Sequence, residues 1–264
     1  MRFKSFSLLI VFIFSITSCN EKKVTTEYYS TGEILKEYQV VNGNKNGYYK
    51  EYYKNGVIRF ESEYLDNEPI LTSKGYDENG KLLYETFQDS CYKYQDDGLI
   101  GKGVLKNDKM TGWWKFYYEG KNEYYLKEFI TVPEEDVYEN QNIVFKNDIK
   151  IDSLSDYYIF KKDILSNDTI RLNIKYNSST LTEYRSILRL IYSKDLDKDF
   201  FNQRSILFDT IFPKSKGIFE FKYSSKIPFR GFITEDSYVV KEAFKGSDDL
   251  NVTRYKMKMY LIIN

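Results

Sequence analysis

Residues 28–87 alternate apolar and polar positions in short runs, cut by turn residues at a fixed interval. Gly32, Gly56 and Gly80 stand 24 residues apart and each closes a similar stretch: Tyr28-Tyr29-Ser30-Thr31-Gly32, Tyr52-Tyr53-Lys54-Asn55-Gly56 and Tyr76-Asp77-Glu78-Asn79-Gly80. An apolar pair follows each glycine, Ile34-Leu35, Val57-Ile58 and Leu82-Leu83, and Glu37, Glu61 and Glu85 recur in register. A fixed short period marks a repeat architecture. The pattern predicts an up-and-down meander of strands at 34–41, 48–53, 57–65, 70–76 and 81–87. Asn55-Gly56 and Asn79-Gly80 predict type I′ hairpin turns, which need positive φ at both central residues. Asn42-Gly43, Asn46-Gly47 and Asp66-Asn67 mark turns at the opposite end.

The register is lost between Gln88 and Leu99. The spacing predicts an irregular loop around Asp89-Ser90-Cys91, then a final hairpin over 101–129. Residues 131–142, with Pro133, Glu134, Glu135 and Asp136, carry no period and read as a linker. Beyond them the strands lengthen. Ile170, Leu172, Ile174 and Tyr176 alternate with Arg171, Asn173 and Lys175, a half-buried strand. Similar runs surround Leu190, Phe208, Phe221 and Met259. Seven or so strands in 143–264 predict an antiparallel β-sandwich, immunoglobulin-like in broad form. The fold class is all-β.

The stretch Gly47-Tyr48-Tyr49-Lys50-Glu51-Tyr52-Tyr53-Lys54-Asn55-Gly56, echoed by Gly112-Trp113-Trp114-Lys115-Phe116-Tyr117-Tyr118-Glu119-Gly120, resembles the bacterial MORN-type repeat of the YwqK-like antitoxin family. The resemblance covers roughly residues 28–130 and implies an array of β-hairpins serving as a scaffold or binding surface. The third unit departs from it, with Leu71 where the glycine would recur and Asp77 in place of the second tyrosine.

The amino terminus changes the picture of where such a chain resides. Arg2 and Lys4 precede the apolar run 6–14, and Ser15-Ile16-Thr17-Ser18 precede Cys19. A basic start, an apolar middle and small residues before a cut describe a signal peptide over 1–18. The cysteine at that position resembles a bacterial lipobox, which implies lipidation of Cys19, a membrane anchor and residence in the cell envelope, most readily the outer membrane. Residues 19–27 then read as a polar tether. Removing 1–18 leaves 37 basic against 39 acidic residues, a net charge of −2. No basic excess points to nucleic acid.

Aromatic residues make up 18% of the chain, and histidine is absent. The absence excludes Ser-His-Asp and Cys-His catalysis and histidine-type zinc sites. Asp195, Asp197 and Asp199 open like a calcium loop, but Phe200 replaces the turn glycine and Ile206 the closing glutamate. Glu134, Glu135, Asp136, Asp248 and Asp249 read as solvated turns, and Cys91 as a small buried apolar residue. No catalytic residue, metal or cofactor is expected. On the last hairpin Trp114, Phe116 and Tyr118 face one way, Trp113 and Tyr117 the other. The rings hold a thin sheet together across strands, and a single layer leaves part of them exposed. Trp113, Trp114, Tyr117, Tyr49 and Tyr52 are therefore the binding candidates for a protein or glycan partner, and Gly32, Gly56 and Gly80 the turn residues. The expected function is a non-catalytic envelope scaffold. An immunity protein that neutralises a toxin is the alternative, and a carbohydrate-active enzyme with an unmarked carboxylate pair is a third.

Overall fold

The computed structural model describes residues 22–118, 122–132, 135–180, 185–193, 196, 209–213, 216–224, 228–242 and 250–263. The expected signal segment 1–18, Cys19, Pro133, Glu134, Asp195, Asp197, Asp199, Asp248 and Asp249 lie outside them. The described chain is all-β, in antiparallel sheets of hairpins, and divides into two units at Gly80/Lys81.

The first unit holds β1 (Lys22–Tyr28), β2 (Ile34–Val41), β3 (Asn44–Tyr52), β4 (Ile58–Leu65) and β5 (Glu68–Tyr76), hydrogen-bonded in chain order. The expected tether is thus corrected from Lys22 onward: β1 pairs with β2 from Lys22↔Val41 to Tyr28↔Ile34. Its polar sequence fits an outer strand of a single layer, which needs no apolar face.

The two ends of this meander use different turns. At one end Gly32 N–H donates to the Tyr29 carbonyl at 3.0 Å, Gly56 to Tyr53 at 2.9 Å and Gly80 to Asp77 at 3.0 Å. Tyr53 N–H also donates to the Val57 carbonyl at 2.8 Å, closing a three-residue loop. Gly56 has φ +83 while Asn55 stays in the ordinary region, so this is a type I turn followed by a left-handed residue. The expected I′ turns at Asn55-Gly56 and Asn79-Gly80 are corrected on that ground, since Gly80 also has φ +83 while Asn79 stays in the ordinary region. The I′ turns lie at the other end, at Asn42-Gly43 and Asp66-Asn67, where both residues have positive φ.

The period is also written in side chains. Tyr29 Oη donates to the Tyr52 carbonyl at 2.7 Å, and Tyr53 Oη to the Tyr76 carbonyl at 2.8 Å. Asp77 has no phenol, so the ladder stops there. At the opposite end Asn67 donates to Asn44 Oδ1 at 3.0 Å and accepts from Lys45 N–H at 2.8 Å. The recurring glutamates take phenols: Glu61 from Tyr76 at 2.6 Å, and, within the second unit, Glu85 from Tyr94 at 2.5 Å.

The second unit continues with β6 (Leu82–Phe87), β7 (Ser90–Gln95), β8 (Gly98–Lys106), β9 (Lys109–Tyr117), β10 (Glu123–Val132), β11 (Glu135–Lys146) and β12 (Ile149–Lys150), again in chain order. Two expectations are corrected here. Residues 88–99 are not an irregular loop: two-residue turns at Gln88-Asp89 and Asp96-Asp97 frame β7. Residues 131–132 and 135–142 are not a linker but lie in β10 and β11, which pair from Val132↔Glu135.

The sandwich follows. β13 (Tyr157–Ser166), β14 (Thr169–Asn177) and β17 (Ile218–Ser224) form a three-stranded sheet. β15 (Arg185–Tyr192), β16 (Asp209–Ile211), β18 (Phe229–Glu242) and β19 (Leu250–Ile263) form a four-stranded one, in the order β16-β15-β18-β19. Leu172, Ile174 and Phe219 from the first sheet and Leu190, Ile233 and Leu261 from the second meet in one core, each 0–1% exposed. The alternation read from residues 170–176 is the inward face of β14.

β11 seals the outer edge of β19. Tyr138 Oη donates to the Lys258 carbonyl, Asn140 Nδ2 donates to the Tyr260 carbonyl at 2.9 Å, and Asn140 Oδ1 accepts from Tyr260 N–H at 2.7 Å. Ile262 N–H donates to Tyr158 Oη at 3.3 Å. Alternate residues of an edge strand present their backbone groups outward, and here side chains occupy them. Val132, Leu196, Phe232 and Tyr260 close an apolar cluster beside this junction.

Candidate functional site

The aromatic positions of β9 split by parity. Trp114 is 0% exposed. Its indole N–H donates to the Val104 carbonyl at 3.1 Å, and its ring stacks on Phe116 at 5.9 Å. Two glycines of β8 make room: a Cβ on Gly103 would come within 2.3 Å of the Trp114 ring, and one on Gly101 within 2.9 Å of Phe116. Cys91 and Phe129 complete this small core. Cys91 is free, and burial pushes its thiol up, away from the reactive thiolate.

Two of the sequence's binding candidates are therefore corrected. Trp114 is a packing residue, and Tyr49, 4% exposed, is covered in this structure, with the Lys45 ammonium 4.8 Å from its ring centroid. Tyr52 is half-buried, and its carbonyl is a rung of the phenol ladder. Trp113 is 43% exposed on the opposite face, across from Glu128. Tyr117 is half-buried and borders two cavities.

The face that buries Trp114 opens towards the end of β9 into a groove of about 690 Å³. Phe116, Phe129 and Met110 line its floor, and Tyr118 and Tyr125, with ring centroids 5.3 Å apart, line its wall. Tyr118 is 53% exposed. Lys127 and Glu139 form an ion pair at 2.8 Å within the lining, so the groove carries no net charge from its own residues. The register places these groups together: Tyr125 lies opposite Phe116, and Phe129 opposite Gly112. A concave apolar site with a few convergent polar groups is the form that ligand sites take. The sequence pointed to this face through Phe116 and Tyr118. It gave no sign of Tyr125, Lys127 or Glu139, which arrive from β10 and β11.

On the other face Lys115, Tyr117, Tyr124 and Asp148 border a smaller cavity of about 440 Å³. The Lys115 ammonium sits 3.7 Å from the Tyr124 ring centroid, so that aromatic face is already taken. Comparison with protein-family models, with curated proteins and with solved structures finds no match to this chain.

One buried group has the look of chemistry. Glu235 on β18 is 2% exposed. Its Oε1 accepts from Thr180 at 2.6 Å, from Ser186 at 3.0 Å and from Ser237, and its Oε2 from Tyr176 at 2.7 Å. Burial pushes this carboxyl up, and the hydroxyl donors outweigh it, holding it below the usual range. Asp156 behaves oppositely: burial dominates and raises it despite hydrogen bonds from Ser179. Neighbouring carboxyls pushed apart can mark an acid and a base. Glu235, however, is 2% exposed inside the sandwich, and its hydrogen bonds tie β14, β15 and β18 together. Among the described residues no group of three acidic or cysteine side chains is placed to hold a metal.

Proposed function

We propose that the protein is a non-catalytic binding protein of the bacterial cell envelope, held to the membrane through Cys19. It engages an envelope protein or glycan with the aromatic groove of β8–β11. The observation that carries this reading is the groove: rings continuous with a rigid core, one wall open to solvent, and no unpaired charge on its floor. Exposed tyrosines on a fixed sheet lose little conformational freedom on binding, which is why they recur at interface hot spots. The MORN-type resemblance of residues 28–130 agrees with a scaffold role, and the lack of histidine agrees with binding rather than turnover.

The test begins with pull-down from detergent-solubilised cells to obtain the partner. Tyr118→Ala and Tyr125→Ala are then assayed for binding, after circular dichroism shows the fold retained. Each is expected to lose about 2 kcal/mol or more, roughly thirty-fold in affinity. Trp113→Ala, on the opposite face, is expected to bind normally. Full affinity in both tyrosine variants, loss of binding only in Trp113→Ala, or turnover of a glycan or peptide by the purified protein would overturn the reading.

A further inference from the structure

A second recognition element lies in the first unit, independent of the groove. Lys45 opens β3, and its ammonium stands 4.8 Å from the ring centroid of Tyr49, 5.2 Å from Tyr38 and 5.4 Å from Tyr64. Three successive strands supply the rings. Tyr38 on β2 lies opposite Tyr49 on β3, and Tyr64 on β4 lies opposite Gly47. Tyr38 and Tyr49 stack with centroids 5.8 Å apart, and Tyr49 meets Tyr64 at 5.1 Å. Two of the phenols are anchored. Tyr38 Oη donates to Glu27 at 3.0 Å and Tyr49 Oη to Glu51 at 2.6 Å. Arg59 in turn holds Glu51.

Lysine over aromatic rings recurs in this lysine-rich, tyrosine-rich chain, and a surface lysine lying along a ring is the ordinary reading of any single case. Lys45 differs in degree. Lys115 meets two rings, Lys258 two, and Lys50, Lys54, Lys93, Lys150 and Lys162 one each. Three rings converge only at Lys45 among the described residues. Its ammonium makes no ion pair among those residues either. The ring faces alone hold it; Glu27 behind Tyr38 adds negative potential, while the charge of Glu51 behind Tyr49 is met by Arg59.

We propose that Tyr38, Tyr49 and Tyr64 form a recognition cage for quaternary ammonium groups, closed in this structure by the chain's own Lys45. A primary ammonium is compact and strongly hydrated, so it gives up water to sit among rings. A quaternary ammonium is weakly hydrated and presents methyl groups to all three faces, the arrangement that aromatic cages favour. Lys45 is then an internal competitor, and the affinity for an external cation is reduced by the fraction of molecules in which it is seated. The seat already accepts a lysine side chain, so the external occupant is the trimethylated lysine of a protein partner, and a choline headgroup is the outcome the test sets against it.

The full chain is titrated with tetramethylammonium by NMR, with sodium at equal ionic strength as control. Lys45→Ala is expected to bind about tenfold tighter than wild type, because the competitor is gone. Lys45→Ala combined with Tyr64→Leu is expected to lose that gain. Lys45→Gln, which keeps the stem without the charge, replaces Lys45→Ala if the latter melts early. Phosphocholine and a trimethyllysine peptide follow as separate arms. Tighter binding of the trimethyllysine peptide than of tetramethylammonium supports the proposal, and a preference for phosphocholine overturns its protein occupant. If neither lysine variant binds tetramethylammonium more tightly than wild type, or if the Tyr64→Leu combination keeps the gain, the cage is refuted.

Discussion

The single residues that matter most here are those whose chemistry and surroundings disagree. Trp114 has the composition of a surface anchor and the position of a core residue, because Gly101 and Gly103 leave a trough that the rings of Phe116 and Trp114 fill. Glu235 has the composition of a surface carboxylate and sits 2% exposed among hydroxyls. Its folded-state carboxyl is held below the ordinary value of about 4.3. It therefore stabilises the fold above that value, and the stabilisation is lost as the pH falls through the lowered folded value. Asp156, raised, works in the opposite sense, so the two must be separated by a variant. Glu235→Gln is expected to cost about 1.5–3 kcal/mol at pH 7, the range for hydrogen bonds to a charged group. Its deficit against wild type should shrink as the pH is lowered past 4. Urea unfolding of both proteins between pH 3 and 7 checks this, and a deficit that does not change with pH would rule out an ionised Glu235. The hydroxyl cage was invisible in the sequence, since Tyr176 on β14, Thr180 in the turn after it and Ser186 on β15 are far in the chain from the Glu235–Ser237 pair on β18.

At the scale of elements, the hairpin ends carry the information. Asn-Gly is compatible with a type I′ turn and with a type I turn followed by a left-handed glycine. Loop length decides between them. Val41↔Asn44 and Leu65↔Glu68 leave two residues between the strands, and both take positive φ. Tyr53 pairs with Val57 and leaves three, so only Gly56 does. A Cβ at Gly56 would meet nothing within 4 Å, yet φ is +83. Gly56→Val should therefore destabilise the first unit through backbone strain alone, by about 1–3 kcal/mol. Gly56→Asn should stay nearer wild type, because asparagine tolerates the left-handed region. Thermal melts rank the three proteins, and an unchanged Gly56→Val would reject this turn. The repeat of Gly32, Gly56 and Gly80, and of Glu37, Glu61 and Glu85, was legible because each unit spends the same residues on the same backbone and phenol contacts.

At the scale of the second unit, residues 81–264, the β10–β11 hairpin is what joins the meander to the sandwich. Asn140 supplies a donor and an acceptor to one residue of β19, in place of a further strand. Asn140→Leu would orphan both buried groups of Tyr260, at about 1–3 kcal/mol each. The urea midpoint should fall accordingly, and wild type should resist native-state proteolysis between residues 135 and 142 while the variant is cut there. Rapid cleavage of wild type in that stretch would restore the flexible linker. Sequence by itself determined the all-β class, the 24-residue period, the placement of most turns and the alternation of the sandwich strands, because these rest on contacts between near neighbours. Tertiary structure alone decided that Lys22–Tyr28 and Ser90–Gln95 are strands, that residues 131–132 and 135–142 belong to β10 and β11, and which aromatic rings are core and which line a groove. A polar strand and a polar linker have the same composition. What separates them is the partner across the ladder, and for an aromatic ring it is the glycine or the solvent on the far side.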